Sequence, residues 1–543
     1  MTTAPDVSVV VAVYNTMPYL TECLNSLVGQ SIGLDRLEIV AVDDGSTDAS
    51  GAELDRFAGR YPETVKVIHQ ANSGGPAAPS NRALDLVTGR FVYFIGSDDY
   101  LGAEALERMV ACADEHSSDV VVGKMVGTNG RYVHQKLYAE NDPDISLYDS
   151  ALPFTLANTK LFRRELIESH KLRFPEDMPV GSDQPFTIEA CVRARKISVV
   201  ADYTCYYAVK RGDASNITYR ADHLARLRCT TRIMEHTAGL IEPGPQRDAV
   251  FKRHFEWELS KLLLQDFTAL DTGTQRQVCE GIAALLDAYF TDGLREVTGV
   301  TRRVRFGLAQ RGAVDALCRA LTDEAEHGAP PFLLEDGRAF ATYPGFRDST
   351  VGLADHWYEV LGEGVSGRLA KHTRLESAEW EQDGSALTLA LALTIGIVGD
   401  TGSAAVALVS GAMPKSADKP GARRLSADAR RPSVAGECTR EALPDGTGTR
   451  LTARIPIEPT NARRGVRVHA DVAGSTYEIA VRTDGLPLPL ARRWGGVVPY
   501  RVSAHTNSKG RLVIETAPLW ETKTGLFRRL RRKLSRSKRK VTR

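Results

Sequence analysis

No uncharged apolar run in the 543 residues approaches the roughly 20 needed to span a bilayer, so no membrane segment is expected. The opening Met1-Thr2-Thr3-Ala4-Pro5-Asp6 has neither a basic start nor an apolar core, and no secretory signal is expected there. No Cys-x-x-Cys pair occurs. The eight cysteines, at 23, 112, 191, 205, 229, 279, 318 and 438, are scattered, which argues against structural zinc and for a reducing cytoplasm. His116, His223 and His254 have no partner at metal-ligand spacing and read as structural. Internal repeats are absent too. Net charge is only +1, but residues 521–543 carry 11 Lys/Arg against one acid, a local +10 that leaves about −9 for everything before them. Hydrophobic content of 43% and charged content of 25% are those of a soluble globular protein, and the length suggests about three domains.

What is present centres on Phe91-Val92-Tyr93-Phe94-Ile95-Gly96-Ser97-Asp98-Asp99-Tyr100-Leu101. Five aromatic or β-branched residues in a row read as a strand buried on both faces, and they stop at Gly96-Ser97 before two adjacent carboxylates. In an open α/β sheet, ligands gather beyond the carboxyl ends of the strands. Paired acids there suit a divalent cation whose remaining ligands come from a phosphate-bearing substrate. Taken alone, Ser-Asp-Asp is also an ordinary strand-to-turn exit.

The same format precedes it. Val7–Val13 is a β-branched run ending in Tyr14-Asn15 and followed by a helical pattern through Leu20, Cys23, Leu24 and Leu27. Leu37–Val42 is a buried strand ending in Asp43-Asp44-Gly45-Ser46-Thr47-Asp48, where helix N-capping is a competing role for either acid. Val65–Ile68 is a third strand, leading into the Gly/Pro-rich loop Asn72–Pro79, and a helix from Ser80 with Ala83, Leu84 and Val87 returns to Phe91. Strands alternating with helices predict a parallel sheet with right-handed crossovers.

Val7 to Leu101 resembles the nucleotide-binding half of the inverting glycosyltransferases of family 2, which have the GT-A (Rossmann-like) fold and use nucleotide-diphosphate sugars. The residues that carry the likeness are Tyr14-Asn15, Val42–Asp48, the loop from Asn72 to Asn81, and Ser97-Asp98-Asp99, each closing a predicted strand in the family's order. The resemblance implies that Ala12, Tyr14 and Asp44 frame the uracil, that Asp98 meets the ribose, and that Asp99 binds Mn²⁺ or Mg²⁺ bridging the diphosphate. Asn72 and Asn81 belong to the same donor site. Many relatives have an acid where this chain has Gly96, so both Asp98 and Asp99 are taken as metal ligands. Many also have Ala-Arg-Asn where this chain has Ser80-Asn81-Arg82, and Arg82 either substitutes for that arginine near the diphosphate or is a solvated helix residue.

Glu104–Glu115 reads as an amphipathic helix and Asp119–Gly123 as a strand. Lys160–Ile167 also resembles the family, and leads to Gly181-Ser182-Asp183-Gln184-Pro185-Phe186. Asp183 matches the acid that, in the family's Glu-Asp-x-x-Phe setting, starts a helix over the sugar's anomeric carbon, with Ser182 in place of the usual Glu. Inversion needs a base on the acceptor side, within reach of the attacking hydroxyl, and Asp183 is the candidate. Its competing role is a helix N-cap. Lys210 and Arg211, at the end of the predicted strand Asp202–Arg211, either clamp the diphosphate or an anionic acceptor or are simply solvated.

The expected layout is a catalytic domain over 1–220, a helical region over 221–329, a β-rich module over 330–520 of β-sandwich type, and a basic amphipathic tail over 521–543. Residues 415–431 and Val434-Ala435 read as a long loop within the module. Trp380, Trp494 and Trp520 either stack on sugars or, more ordinarily, pack in the core. The layout is similar to that of bacterial wall teichoic acid glycosyltransferases. It implies a cytoplasmic, metal-dependent transferase that moves N-acetylglucosamine or another hexose from a UDP-sugar to a hydroxyl of a cell-envelope glycopolymer. Two alternatives stay open: a capsule or exopolysaccharide transferase on a lipid-linked acceptor, and a non-catalytic glycan-binding scaffold. The module would bind polymer or form a homo-oligomer. The tail, with Leu526, Phe527, Leu530 and Leu534 amid basic residues, would touch an anionic membrane surface or anionic polymer rather than nucleic acid.

Overall fold

The structure is a computed structural model that describes residues 4–211, 222–361, 364–399, 404–410, 422–424, 436–444, 448–472, 475–494 and 499–519. Residues 212–216 beyond the predicted strand Asp202–Arg211, most of the 415–431 loop, Val434-Ala435, Trp520 and the basic tail lie outside these residues. Two compact units divide at 298/299, within the helical stretch expected over 221–329. Among the described residues no helix is long and apolar enough to cross a membrane.

The first unit is built on an eight-stranded sheet. Its first half comprises β1 (Val7–Val13), β2 (Leu37–Asp43), β3 (Val65–His69) and β4 (Phe91–Gly96), linked by α1 (Tyr19–Val28), α2 (Ser50–Arg60) and α3 (Ala77–Leu84). These strands are parallel in the order β3-β2-β1-β4, as the alternating pattern predicts. Registers such as Ala12↔Val42 and Ala12↔Gly96 align the carboxyl ends, so Tyr14, Asp44 and Asp98 follow neighbouring strand ends. α3 begins at Ala77 and stops at Leu84, earlier than the pattern through Val87 indicates.

The second half of the sheet is mixed. β5 (Tyr100–Leu101), α4 (Ala105–His116), β6 (Val120–Thr128), β7 (Leu161–Arg163), α5 (Arg164–Ser169), α6 (Asp183–Arg193) and β8 (Ile197–Val209) extend the order as β4-β7-β6-β8-β5. β7 lies antiparallel between β4 and β6, and β5 pairs antiparallel with β8 through Tyr100↔Tyr207. That last pairing returns the end of β8 to the residues just after the Asp98-Asp99 pair.

Alternate residues of each strand feed two cores. Val9, Val11, Tyr93 and Ile95 face Leu20, Leu24, Phe57 and Met109 of α1, α2 and α4. Val10, Val92 and Phe94 face Ala83, Ile167, Phe174, Phe186 and Ile188, from α3, α5, α6 and the segment before α6. In this second core Phe94 meets Phe162, Phe174 and Phe186 edge-on at 6.0, 5.2 and 5.4 Å between ring centroids. Phe174 stacks on Phe186 at 4.3 Å. Edge-to-face and offset-stacked rings add roughly 0.5–1.5 kcal/mol per pair beyond area burial. Beyond β8 the unit continues as α7 (His223–Leu240), α8 (Pro245–Arg253), a π-helical turn His254–Leu259, α9 (Thr272–Tyr289) and α10 (Asp292–Val297).

The second unit opens with helices Val300–Gln310 and Val314–His327 and then becomes β-rich, as the change of texture near Pro330 suggests. Arg374–Asp383, Ala386–Ile395, Thr449–Pro456 and Glu437–Ala442 form one antiparallel sheet, and Ala462–Val472 is central to a larger one. Trp380 and Trp494 are buried, their indole N–H groups donating to the carbonyls of Leu490 (3.1 Å) and Ser385 (2.8 Å), so both are core residues. All eight cysteines are free thiols.

Because the four-ring cluster ties β4 to α6, Phe186→Ala should cost the first unit about 3–5 kcal/mol. A fall in the midpoint of urea unfolding followed by circular dichroism is the measurement, and an unchanged midpoint would show that the rings do not carry this contact.

Candidate active site

Asp98 and Asp99 sit where β4 ends and β8 returns. Asp99 is 5% exposed. Its Oδ2 accepts from the Tyr206 hydroxyl at 2.5 Å and its Oδ1 from the Val209 N–H at 2.7 Å, with Arg131 3.5 Å away. Burial raises the Asp99 carboxyl above its ordinary range, and the adjacent Asp98 charge adds to that; Arg131, Tyr206 and Val209 act against both. The Tyr206 hydroxyl also accepts from the Gly96 N–H at 3.2 Å, so one side chain pins both the strand end and the acid. Asp98 accepts from Arg211 Nε at 2.7 Å, and the Arg211 guanidinium lies 5.8 Å from the Tyr19 ring centroid. Lys210 is exposed, with its carbonyl accepting from Asn129 at 3.4 Å.

Gly96 has a specific consequence. A Cβ on it would stand 3.0 Å from Asp99 Oδ2 and 3.1 Å from Asp98 Oδ1, so the two carboxylates converge on space that a side chain would fill. Two hard oxygen donors beside such a space fit Mn²⁺ or Mg²⁺, provided that phosphate oxygens and water complete the shell. Among the described residues no group of three or more His, Cys, Asp or Glu could hold a metal ion, so the substrate's oxygens would be required.

On the other side of β1, Ala12 is half-buried and Tyr14 is 46% exposed. Asp44 is buried and accepts from Gln70 Nε2 (2.7 Å) and from the Ser73 N–H and hydroxyl (3.1 and 2.9 Å). Asn72 Nδ2 donates to the Asp44 carbonyl at 2.9 Å. Neither acid of the Asp43-Asp44 pair caps α2. Asp48 accepts from the Ser50 N–H at 2.9 Å, while Asp43 accepts from the Ser46 N–H at 3.0 Å and faces His69 Nδ1 at 2.9 Å. Asp43 and Asp55 raise the His69 imidazole above its ordinary value.

Asn81 is bonded to the segment before α6. Its amide donates to the Phe174 carbonyl and Glu176 (2.9 Å each) and accepts from the Phe174 N–H at 2.9 Å, stapling α3 to the segment before α6. A small open cleft of about 130 Å³ lies between this segment and the glycine loop, lined by Ser73, Gly74, Ala77, Glu176, Asp177 and Met178. Arg82 is exposed on α3.

Asp183 is the first residue of α6; the capping position belongs to Ser182, whose side chain makes no cap hydrogen bond. Burial pushes the Asp183 carboxyl up, opposed by the charges of Arg253 and Lys160. Lys160 is itself buried, its ammonium donating to the carbonyls of Thr155 and Ala157 (2.6 Å for the latter), and burial brings it down to about 8. Among the described residues no side chain makes a hydrogen bond or ion pair to the Asp183 carboxylate. The residue is half-buried, and its carboxylate can take a proton.

Sequence reasoning missed Tyr206, Arg131 and Arg253. Tyr206 reads as one more aromatic in an alternating strand, and Arg253 as a helix residue. Arg131 carries a faint signal, because Asn129 and Gly130 at positive φ turn the chain back just after β6.

Residues 8–174 match the model of glycosyl transferase family 2, and residues 225–321 that of the glycosyl transferase TarS linker domain. A poly(ribitol-phosphate) beta-glucosyltransferase of Bacillus spizizenii is 42% identical over 214 residues, which are 39% of this chain and 34% of that protein. The chain thus spans about a third of the length of the curated relatives it matches. A 1–349 piece of Staphylococcus aureus TarS, solved in complex with UDP-GlcNAc, superposes with a TM-score of 0.56 at 28% identity, covering 66% of this chain and 99% of that one. The longer S. aureus TarS structure shares the fold at 22% identity, with a TM-score of 0.60 over 95% of this chain and 86% of that one. Strand ends that carry Tyr14, Asp44 and Asp98-Asp99 on a β3-β2-β1-β4 sheet, the matching family model and these relatives lead to one assignment: residues 8–174 form a glycosyl transferase family 2 domain, with the GT-A fold.

Proposed function

We propose that the protein transfers a hexose, N-acetylglucosamine or glucose, from UDP to a hydroxyl of poly(ribitol phosphate) or a closely similar polyol-phosphate polymer, with inversion at the anomeric carbon. The observation that carries the reading is the acid pair at the end of β4, converging beside Gly96 and flanked by Arg131 and Arg211. Acids and cations in that mixture suit a diphosphate that arrives with its own counter-ion. The poly(ribitol-phosphate) beta-glucosyltransferase relative and the UDP-GlcNAc complex of TarS support these donor and acceptor classes.

Ala12, Tyr14 and Asp44 frame the uracil, with Asp44 also holding Asn72 and the glycine loop closed against it. Asp98 takes the ribose, and Asp98 and Asp99 are the residues that would hold a divalent cation. A divalent cation, Mn²⁺ or Mg²⁺, would neutralise charge on the β-phosphate as the glycosidic C–O bond breaks. Arg211 and Arg131, which face Asp98 and Asp99, and Lys210 beside Arg211 orient the leaving group in this reading, and Arg82 is a further cation of the donor site. Tyr206 and Val209 keep Asp99 aimed. Asp183 Oδ accepts the proton of the attacking ribitol hydroxyl while that oxygen bonds to the anomeric carbon from the face opposite UDP. Its carboxylate suits this role because no side chain among the described residues bonds it.

The test is transfer of radiolabelled sugar from UDP-N-acetylglucosamine or UDP-glucose to poly(ribitol phosphate) with manganese present; failure with both donors and with other polyol phosphates rejects the reading. Asp183→Asn should lower turnover by roughly a thousandfold and leave UDP affinity, by calorimetry, unchanged. EDTA should abolish transfer and added Mn²⁺ restore it. Tyr206→Phe removes one donor to Asp99 and should raise the Mn²⁺ concentration needed for half-maximal rate about tenfold; an unchanged requirement would mean that Asp99 is not a ligand.

A further inference from the structure

Behind Asp183 lies a buried set of charges that takes no direct part in the transfer chemistry. α8 ends at Arg253, and the next six residues, His254–Leu259, form a π-helical turn. In an α-helix of about 3.6 residues per turn, side chains five apart point to different faces, whereas one π turn spans five residues and brings them into line. Arg253 and Glu258 are five apart, and they make an ion pair at 2.9 Å. Ser260 Oγ donates to the Phe255 carbonyl at 2.7 Å, again five residues back. Short π turns of this kind concentrate at functional sites.

The pair meets α6 at one residue. Arg253 Nη1, the nitrogen that faces Glu258, also donates to Gln184 Oε1 at 2.7 Å. Arg253, Gln184 and His254 are buried, and the Arg253 guanidinium lies 5.6 Å from the Trp257 ring centroid, so the clamp cannot swing into solvent. Gln184 immediately follows Asp183 in the first turn of α6, and its N–H donates to the Gly181 carbonyl at 3.1 Å. Holding Gln184 from both ends therefore fixes the backbone from which the Asp183 side chain springs.

We propose that the Arg253–Glu258 pair of the π turn, acting through Gln184, sets the orientation and charge of Asp183, and that Arg253 is thus a positioning residue for the transfer reaction. This rests on the reading of Asp183 as the base. The charged groups around Asp183 come from several elements. Arg253 of α8 and Lys160, just before β7, favour its ionised form, and Glu258 of the π turn disfavours it. His254, buried beside them, is brought down to about 3 by burial and by Arg253, and is neutral. On α7, His236 faces Glu189 (3.3 Å) and Arg232 faces Asp177 (3.1 Å); on α5, Arg164 pairs with Glu168 (2.5 Å), so these are engaged elsewhere. Removing the Arg253 charge would take away the first of the cationic influences on the base and leave the opposing one of Glu258, so the base must then ionise at higher pH.

The experiment measures the pH dependence of kcat and kcat/KM for the full chain with the active UDP-sugar and poly(ribitol phosphate), and UDP affinity by calorimetry as the control for folding. Arg253→Met should lower kcat about 30- to 100-fold and move the acid limb up by about one pH unit, with donor and acceptor KM within about threefold. Arg253→Lys, which keeps the charge and loses the fork, should return the limb to its wild-type position and recover part of kcat. Glu258→Gln should move the limb the other way, to lower pH, and it carries the test alone if Arg253→Met fails to bind UDP. An unmoved limb in both variants overturns the proposal, as does an acceptor KM effect with kcat unchanged, which would make Arg253 a polymer contact. Asp183→Asn separates the two levels: if it remains active, the base assignment itself fails; if it is dead while Arg253→Met is normal, only the positioning proposal fails.

Discussion

The contact on which the site depends is made of rings. Phe94 is four residues before Asp98, Phe186 is three after Asp183, and the two meet edge-on at 5.4 Å. Phe174 stacks on Phe186, and the same residue's backbone exchanges hydrogen bonds with Asn81 of α3. One cluster thus joins the strand that presents the acid pair, the helix that presents the lone acid, and the helix that succeeds the glycine loop. A packed interior transmits small displacements instead of absorbing them. The groups at these three termini keep their relation because the elements beneath them cannot slide.

On that frame the carboxylates are treated differently. Asp99 is held: a hydroxyl, an N–H and a guanidinium meet it within 3.5 Å, which aims its oxygens. Asp183 has cations near it but no side-chain partner among the described residues, which leaves its lone pairs available. Environments that differ in this way assign different work to chemically identical groups. Asp44 is a third case. Buried and used as an acceptor by Gln70, Asn72 and Ser73, it organises the loop over the nucleotide side as much as it offers itself to a ligand.

Much of this was legible in advance where the signal is local. A both-face-buried parallel strand must be a continuous apolar run, so Val7–Val13, Leu37–Val42 and Phe91–Ile95 announce themselves, and the polar residues just beyond each run sit at a strand end by construction. Asp183 was readable as a helix start for the same reason. Residue type alone does not name a partner: Asn81, read as a donor-site residue, bonds Phe174 and Glu176, and Asp43, for which helix capping was a competing role, faces His69.

By itself, then, the sequence determined the parallel half of the sheet, the order of its loops and the acids at their tips, because periodicity and strand termination are properties of a dozen consecutive residues. Only the tertiary structure decided what those acids touch. Tyr206 and Val209 reach Asp99 because β8 returns antiparallel to β5, Arg131 because β6 runs beside β8, Arg253 reaches Gln184 from the end of α8, some seventy residues away in the chain, and the π turn that follows brings Glu258 to Arg253. Contacts between residues so far apart leave no trace in local pattern; they are set by which edges pair and which faces pack.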